Sequence, residues 1–285
     1  MKEWVVGKKQ EGMRVMDFLL LHIETTSNKA LKRQIEDGSL RINGVLERFA
    51  SRKLRDKERI TFTEQPRKAV AHFDPKDILY EDEALLLYNK PSGISCDPKG
   101  VLAHLSSYNN RLKLVHRLDK DTSGVLVLAK TDPALKAMET LFKERLVEKE
   151  YHAIVKGIVP FQTKIISNRL GKVSEFSGQT LYGTCGTSGL EAVTRFSLIK
   201  KGKSNSLVAC FPETGRTHQI RVHLAELGFP ILGDKLYGKE VGRSWMPSRL
   251  LLHSHRIQFA HPLKKDMLEV LAPTPLAFEE ALKRL

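Results

Sequence analysis

The segment His116-Arg117-Leu118-Asp119-Lys120-Asp121-Thr122-Ser123-Gly124, running into Val125-Leu126-Val127-Leu128-Ala129-Lys130, constrains the fold more than any other part of the chain. Its second half is a short apolar run in a β-rich idiom. Its first half gathers ionisable residues and a Gly, and cannot itself be a core element. The whole therefore reads as a loop feeding a strand. Loops held on rigid strands commonly present catalytic side chains, and Asp119 stands between two cations, Arg117 and Lys120, that suit a nucleophilic carboxylate. The same pattern also fits a plain turn, in which an aspartate bonds its own backbone.

Charge narrows the partner. The 285 residues carry 47 Lys and Arg against 33 Asp and Glu, a formal net charge of +14 spread along the chain. A folded basic surface of this kind faces a polyanion, RNA or DNA first. An anionic membrane would suit the charge, but no basic amphipathic helix of the interfacial kind is present. Cys96, Cys185 and Cys210 are widely separated without a C-x-x-C, which gives neither a disulfide framework nor a zinc site and points to a reducing cytoplasm. Met1 to Gly7 has no apolar h-region, and no apolar run approaches the ~18 residues of a membrane span. A soluble, unprocessed, cytoplasmic protein without membrane attachment is expected.

Residues 12–64 read as a small autonomous unit. Val15, Phe18, Leu19 and Ile23 recur at helical spacing; after a cap cluster, Thr25 to Asn28, a second helix turns Leu31 and Ile35 inward and stops at Gly38. Lys29, Lys32 and Arg33 share its outer face. Leu40-Arg41-Ile42 alternates into Asn43-Gly44, a strong hairpin signal, and Arg59 to Thr63 alternates again. Residues 65–77, with Pro66 and Pro75 and no periodicity, form a linker. Residues 78–275 follow as the larger domain, beginning with a hairpin, Ile78-Leu79-Tyr80 and Ala84 to Tyr88, that ends at Asn89-Lys90-Pro91-Ser92-Gly93.

Asp132-Pro133 predicts a helix start, Asp at the N-cap and Pro at N1, with Leu135, Met138, Leu141 and Phe142 inward. Lys149 to Val155 alternates as a strand that sets Tyr151, Ala153 and Val155 on one face; by pattern alone Tyr151 is a core aromatic. Residues 161–189, rich in Gly, Ser and Thr, read mostly as turns. In Thr214-Gly215-Arg216-Thr217-His218-Gln219-Ile220-Arg221-Val222-His223-Leu224, Thr217 can cap a helix that buries Ile220, Leu224 and Leu227 and carries His218 and Arg221 on one side. His218 and His223, five apart, lack the spacing of a helical zinc pair.

These segments together resemble the RluA-type pseudouridine synthases, in particular RluC- and RluD-like members. The motifs concerned are His116 to Gly124, Lys90-Pro91-Ser92-Gly93, Lys149-Glu150-Tyr151, Gly215-Arg216-Thr217-His218-Gln219-Ile220-Arg221, Gly233-Asp234-Lys235-Leu236-Tyr237-Gly238 and Arg249 to His253. Residues 32–44 resemble the S4 RNA-binding module, although its usual Gly-Asp before the last strand is here Lys57-Glu58-Arg59. The resemblance implies an α+β chain: a small S4-like αL RNA-binding domain, then a catalytic domain with a mainly antiparallel mixed β-sheet flanked by helices and a central RNA-binding cleft. It implies isomerisation of uridine in RNA, 23S large-subunit rRNA first and tRNA as the alternative. Asp119 would be the nucleophile, Arg221 its orienting partner and Tyr151 the ring stacked on the base.

By the same resemblance Arg117 fills the gap left by the flipped base, Leu252 lines the base pocket, and His116 belongs to the substrate-binding loop. Lys29, Lys32, Arg33 and Arg41 would hold RNA from the small domain. No cofactor and no metal are expected, and the protein should act as a monomer. Two other classes stay open on residues alone. A non-catalytic S4-type RNA-binding or ribosome-assembly factor would not need Asp119, Tyr151 and Arg221 together. A glycosidase-like hydrolase would want a second acid poised beside Asp119.

Overall fold

A computed structural model describes residues 1–24, 27–36, 38–63, 73–176, 179–238 and 247–285. The chain divides into two compact units, residues 1–71 and 72–285. The first consists of β1 (Lys2–Val5), α1 (Val15–His22), α2 (Asn28–Glu36), β2 (Leu40–Ile42), β3 (Val45–Glu47) and β4 (Arg59–Phe62). Its antiparallel sheet runs β1-β4-β2-β3. Phe18, Leu19, Leu31, Ile35, Ile60 and Phe62 fill the core between sheet and helices.

Asn43 and Gly44 take φ of 52° and 79°, the left-handed pair that a two-residue hairpin demands, and they join β2 to β3. Lys57 has φ 62° where the S4 pattern has Gly. Glu58 is buried and accepts the Arg55 N–H at 2.9 Å and Arg52 Nη2 at 2.8 Å, which fixes the turn into β4. This unit starts earlier than residue 12, because β1 pairs with β4 and Val6 joins the core. Thr25, Thr26 and most of the linker, residues 64–72, lie outside the described residues, as does Asp37. Asp74 caps a short turn, Pro75–Asp77, at the linker's end.

The second unit continues with β5 (Ile78–Glu81), β6 (Leu85–Lys90), α3 (Ala103–Leu105), β7 (Lys113–Leu114), β8 (Ser123–Ala129), α4 (Asp132–Lys143) and β9 (Glu148–Lys156). It goes on through β10 (Thr163–Phe176), β11 (Gln179–Thr184), β12 (Leu190–Lys201), β13 (Asn205–Pro212), α5 (Gln219–Glu226), β14 (Leu252–Ala260), β15 (Met267–Leu271) and α6 (Leu276–Leu282). One sheet runs β11-β10-β12-β13-β9-β14-β8-β6-β5, with β15 on β14 and β7 on β8. Its pairs are antiparallel except β14 with β8, which meet in parallel at His253↔Ser123 and Ser254↔Gly124. Every residue of β8 is buried. Gly124, at φ +107°, permits the crossing: a Cβ there would lie 2.1 Å from the Ser254 carbonyl oxygen.

Three local readings change. Residues 161–189 are not mainly turns: β10 is a 14-residue strand paired with both β11 and β12. Little of β10 is buried, so it needs no apolar alternation. Two of its neighbouring glycines admit a side chain instead of bending the backbone, since Cys185 Sγ lies 2.5 Å from a Cβ placed on Gly171 and 2.7 Å from one on Gly189. The cap of α4 is Thr131, whose hydroxyl accepts the Ala134 N–H, one residue before the aspartate assigned to it. The second unit also extends past residue 275, because Phe278 and Ala281 of α6 are buried in its core.

Candidate active site

Asp119 lies in the loop that delivers the chain into β8, and this loop is fastened from outside. The Thr122 N–H closes a turn on the Asp119 carbonyl at 3.1 Å, and buried Leu118 donates its N–H to Cys96 Sγ at 3.3 Å. The Lys120 carbonyl accepts the Gly93 N–H at 2.8 Å and Lys90 Nζ at 3.2 Å; the Asp121 carbonyl accepts the Ser92 hydroxyl at 2.7 Å. Lys90 also donates to the Pro91 and Ile94 carbonyls, at 3.0 and 2.8 Å. Three acceptors thus meet three protons of a fully buried ammonium, whose pKa burial lowers to about 8. The Lys90-Pro91-Ser92-Gly93 turn therefore reverses the chain and brackets the Asp119 loop.

Arg221 comes from α5. Its Nε and Nη2 bind the two oxygens of Asp234 at 2.8 Å each, and Nη1 reaches Asp119 Oδ2 at 3.5 Å. The planar pairing belongs to Asp234, which also accepts the N–H groups of Leu236 and Tyr237 at 2.9 and 3.1 Å. Arg221 thus meets Asp119 through a single, longer contact. Burial opposes both charges, but their mutual bonds outweigh it: Asp234 is held below the usual carboxylate range and Arg221 above the ordinary guanidinium value.

The start of α5 differs from the Thr217 cap. His218 precedes the helix in a left-handed conformation, φ 58°, and its side chain makes no cap. Gln219 secures the turn instead: its Oε1 accepts the Thr214 hydroxyl at 2.7 Å and the Arg216 N–H at 3.0 Å, while Nε2 donates to the Val193 carbonyl and Thr194 Oγ1. Behind it Thr194 contacts His223 Nδ1 at 3.0 Å, and His223 Nε2 meets Asn168 Oδ1 at 2.9 Å. His218 Nδ1 contacts the Tyr237 hydroxyl at 2.9 Å. That hydroxyl also accepts the Tyr182 N–H at 3.0 Å. The Arg221 guanidinium lies 5.1 Å from the Tyr237 ring centroid.

Asp119, Tyr151, Arg221 and Leu252 all line one cleft of about 580 Å³. They meet where β8, β9 and β14 come together: Tyr151 pairs in register with Ser254, and Leu252 opens β14. Tyr151 is hydrogen-bonded to Ser254, and burial pushes its hydroxyl well above the ordinary phenol value, so it is protonated at neutral pH. Leu252 is buried.

Arg117 is exposed at the cleft's edge. It forms no salt bridge with Asp121 among the described residues. His116 touches the cleft but serves the scaffold. Its Nε2 accepts the Val127 N–H at 3.0 Å, its ring stacks on Phe142 at 4.7 Å, and burial lowers its pKa to about 3.

In the first unit, Arg33 is exposed and Lys32 lies 3.8 Å from Glu36. Arg41 is exposed and donates to the Gly44 carbonyl at 3.1 Å. Lys29 belongs to α2, and its side chain lies outside the described residues.

The family model for RNA pseudouridylate synthase matches residues 84–226, a span that includes Asp119, Tyr151 and Arg221. The chain belongs to this family. The synthase is 40% identical over 221 residues to the ribosomal large subunit pseudouridine synthase C of Buchnera aphidicola subsp. Baizongia pistaciae, which covers 73% of this chain and 70% of the relative. Against the enzyme of that name from Haemophilus ducreyi it is 31% identical over 304 residues, covering 99% and 95%, a likeness that takes in both units. Among solved structures, human RNA pseudouridylate synthase domain containing 1 matches with a TM-score of 0.62 at 30% identity, covering 70% of this chain and 83% of that one.

The synthase acts on RNA as an α+β enzyme that isomerises uridine. Among its described residues no group of three or more His, Cys, Asp or Glu is placed to hold a metal, and no helix is long and apolar enough to cross a membrane. Sequence reasoning gave no role to Asp234 or Tyr237. Both stand in the segment Gly233 to Gly238, and the signal was an acid and an aromatic held between two glycines in a short loop.

Proposed function

We propose that the synthase converts uridines of large-subunit ribosomal RNA to pseudouridine, acting as a monomer with Asp119 as the reacting carboxylate. One observation carries this reading: the Asp119 carboxylate faces a cleft that is cationic at Arg221, 3.5 Å away, and bounded by Tyr151 and Leu252. A flat pyrimidine suits the ring and the leucine, and its ribose suits the carboxylate. Drawing the nucleotide out of its stack costs a few kcal/mol. Exposed Arg117 is available to stack in its place and to bind phosphate.

In the cleft the C1′–N1 bond breaks, the base turns, a C1′–C5 bond forms, the C5 proton leaves to solvent and N1 takes one up, so the product is an isomer of the substrate. The balance needs no added electron or cofactor. Asp119 can attack carbon or steady the positive charge that develops at C1′. Tyr151, protonated at rest, holds the base and is not in the state that could take the C5 proton itself. The first unit, by its S4-like pattern, supplies Lys29, Lys32, Arg33 and Arg41 to RNA phosphates, and the name shared by the relatives supports large-subunit rRNA over tRNA as the target.

Pseudouridine mapping of total RNA from cells lacking the gene tests this. Sites in large-subunit rRNA should disappear and return with the wild-type protein but not with Asp119→Asn. Disappearance confined to tRNA would reassign the substrate, and an unchanged map would refute the reading.

A further inference from the structure

Lys149 stands on β9 two residues before Tyr151, on the same face of the strand, and lines the same cleft. It is half-buried, and among the described residues no salt bridge holds it. The acids beside it in sequence are engaged elsewhere: Glu150 with His152 at 3.0 Å and Glu148 with Arg256 at 3.7 Å. Burial, then the charge of Arg145, lower the Lys149 pKa to about 8. An ammonium partly removed from water without a counter-ion is costly, and it fits a place where a ligand brings the anion.

The turn that delivers Lys149 carries a second anomaly. Helix α4 ends with the Leu146 N–H on the Leu141 carbonyl at 2.9 Å and the Arg145 N–H on the Phe142 carbonyl at 3.2 Å. This is the left-handed helix stop in which the central residue is ordinarily Gly. Here it is Arg145, at φ 60°. Its guanidinium is braced by Glu191 at 2.7 Å, and both Arg145 and Lys143 line the cleft. A large cation in a conformation that favours Gly marks a site where side-chain chemistry outweighs backbone ease.

We propose that this turn, with Lys149 at its centre and Lys143 and Arg145 at its rim, binds a phosphodiester of the substrate RNA next to the target uridine. The proposal rests on the reading that the cleft takes that uridine. Lys149 lies about 7 Å along the strand from Tyr151, within the reach of one nucleotide.

The test is equilibrium binding of a large-subunit rRNA transcript across a salt series, in an Asp119→Asn background so that nothing turns over. Lys149→Gln should weaken binding about tenfold and flatten the log–log salt dependence by about 0.7, the share of one single-strand phosphate contact. Lys149→Arg should restore the slope, which a merely structural lysine would not require. Arg145→Gly should weaken binding while its Tm holds or rises, because Gly suits the left-handed turn.

A folded Lys149→Gln protein with an unchanged slope would overturn the subsite. Should that variant not fold, unchanged affinity in Arg145→Gly overturns it instead. Pseudouridine mapping of the same transcript with wild-type protein is scored separately: unconverted uridines would refute the uridine reading, whatever the slopes.

Discussion

Arg221 gives Asp234 two nitrogens at 2.8 Å and keeps one, at 3.5 Å, for Asp119. The Asp119 carboxylate is thus steadied without being tied down, and the strong pairing belongs to Asp234. Asp234→Asn should free the guanidinium to swing. We expect the single-turnover rate to fall at least tenfold at saturating enzyme, with RNA affinity nearly unchanged. Stability should drop by about 3 kcal/mol, because a buried cation loses its partner. Rapid-quench kinetics and urea unfolding measure the two. Arg221→Lys, which keeps charge but cannot bridge both acids, should show the same rate loss.

Asp119→Asn preserves shape and removes the charge to which the proposed function assigns the reaction. Turnover should vanish in a tritium-release assay while Tm and RNA binding stay near wild type. A residual rate within tenfold, worth only ~1.4 kcal/mol, would be too small an effect for the central group and would displace Asp119 from that role.

Acid should unfold the second unit through its histidines. His223 receives the Thr194 contact on Nδ1 and His253 contacts the Ser123 hydroxyl at 2.8 Å, both buried; burial lowers their pKa to about 4 and about 3. An imidazole in the unfolded chain titrates near ~6.5, so between that pH and the folded values the unfolded state binds more protons. The stabilisation is complete above about pH 6.5 and fades as pH falls, by about 1.4 kcal/mol per unit for each histidine. Urea unfolding at pH 7, 6 and 5 should show this slope, and His223→Gln should reduce it. A flat profile down to pH 5 would mean that these rings are already charged in the folded protein.

Each unit has a core of its own, so a protein beginning at residue 73 should fold and keep the chemistry. Its RNA affinity should fall, and its salt slope should flatten by roughly one unit for every phosphate that the first unit had neutralised. The deficit should appear in kcat/KM rather than in the saturating single-turnover rate. If the slope is unchanged and the saturating rate disappears, the first unit contributes to catalysis itself.

The parts of this protein that were legible in the sequence are those whose neighbours in sequence are also their neighbours in space. Asn43-Gly44 forces its hairpin, and Val125 to Ala129 is apolar because every side chain of β8 is buried. Asp119, Tyr151, Arg221 and Leu252 stand in recognisable segments and line one cleft. What stayed hidden depends on distant partners. Asp234 looks like a loop acid until α5 folds back and Arg221 meets it, and Lys149 looks like a surface lysine until its neighbouring acids turn to the other side. The β10–β11 ribbon was hidden for another reason: exposed on much of its surface, it carries little of the apolar periodicity by which strands are read.

The parallel meeting of β8 and β14 joins residues 123 and 124 to 253 and 254. A ribosome that has made only the first half of this chain has produced the Asp119 loop but not the strand that lies beside it, nor Leu252, nor the Arg221–Asp234 pair. Pairings so far apart in sequence form late and slowly. A chain that stops short of β14 therefore carries the Asp119 loop without the strand and the leucine that complete the cleft around it.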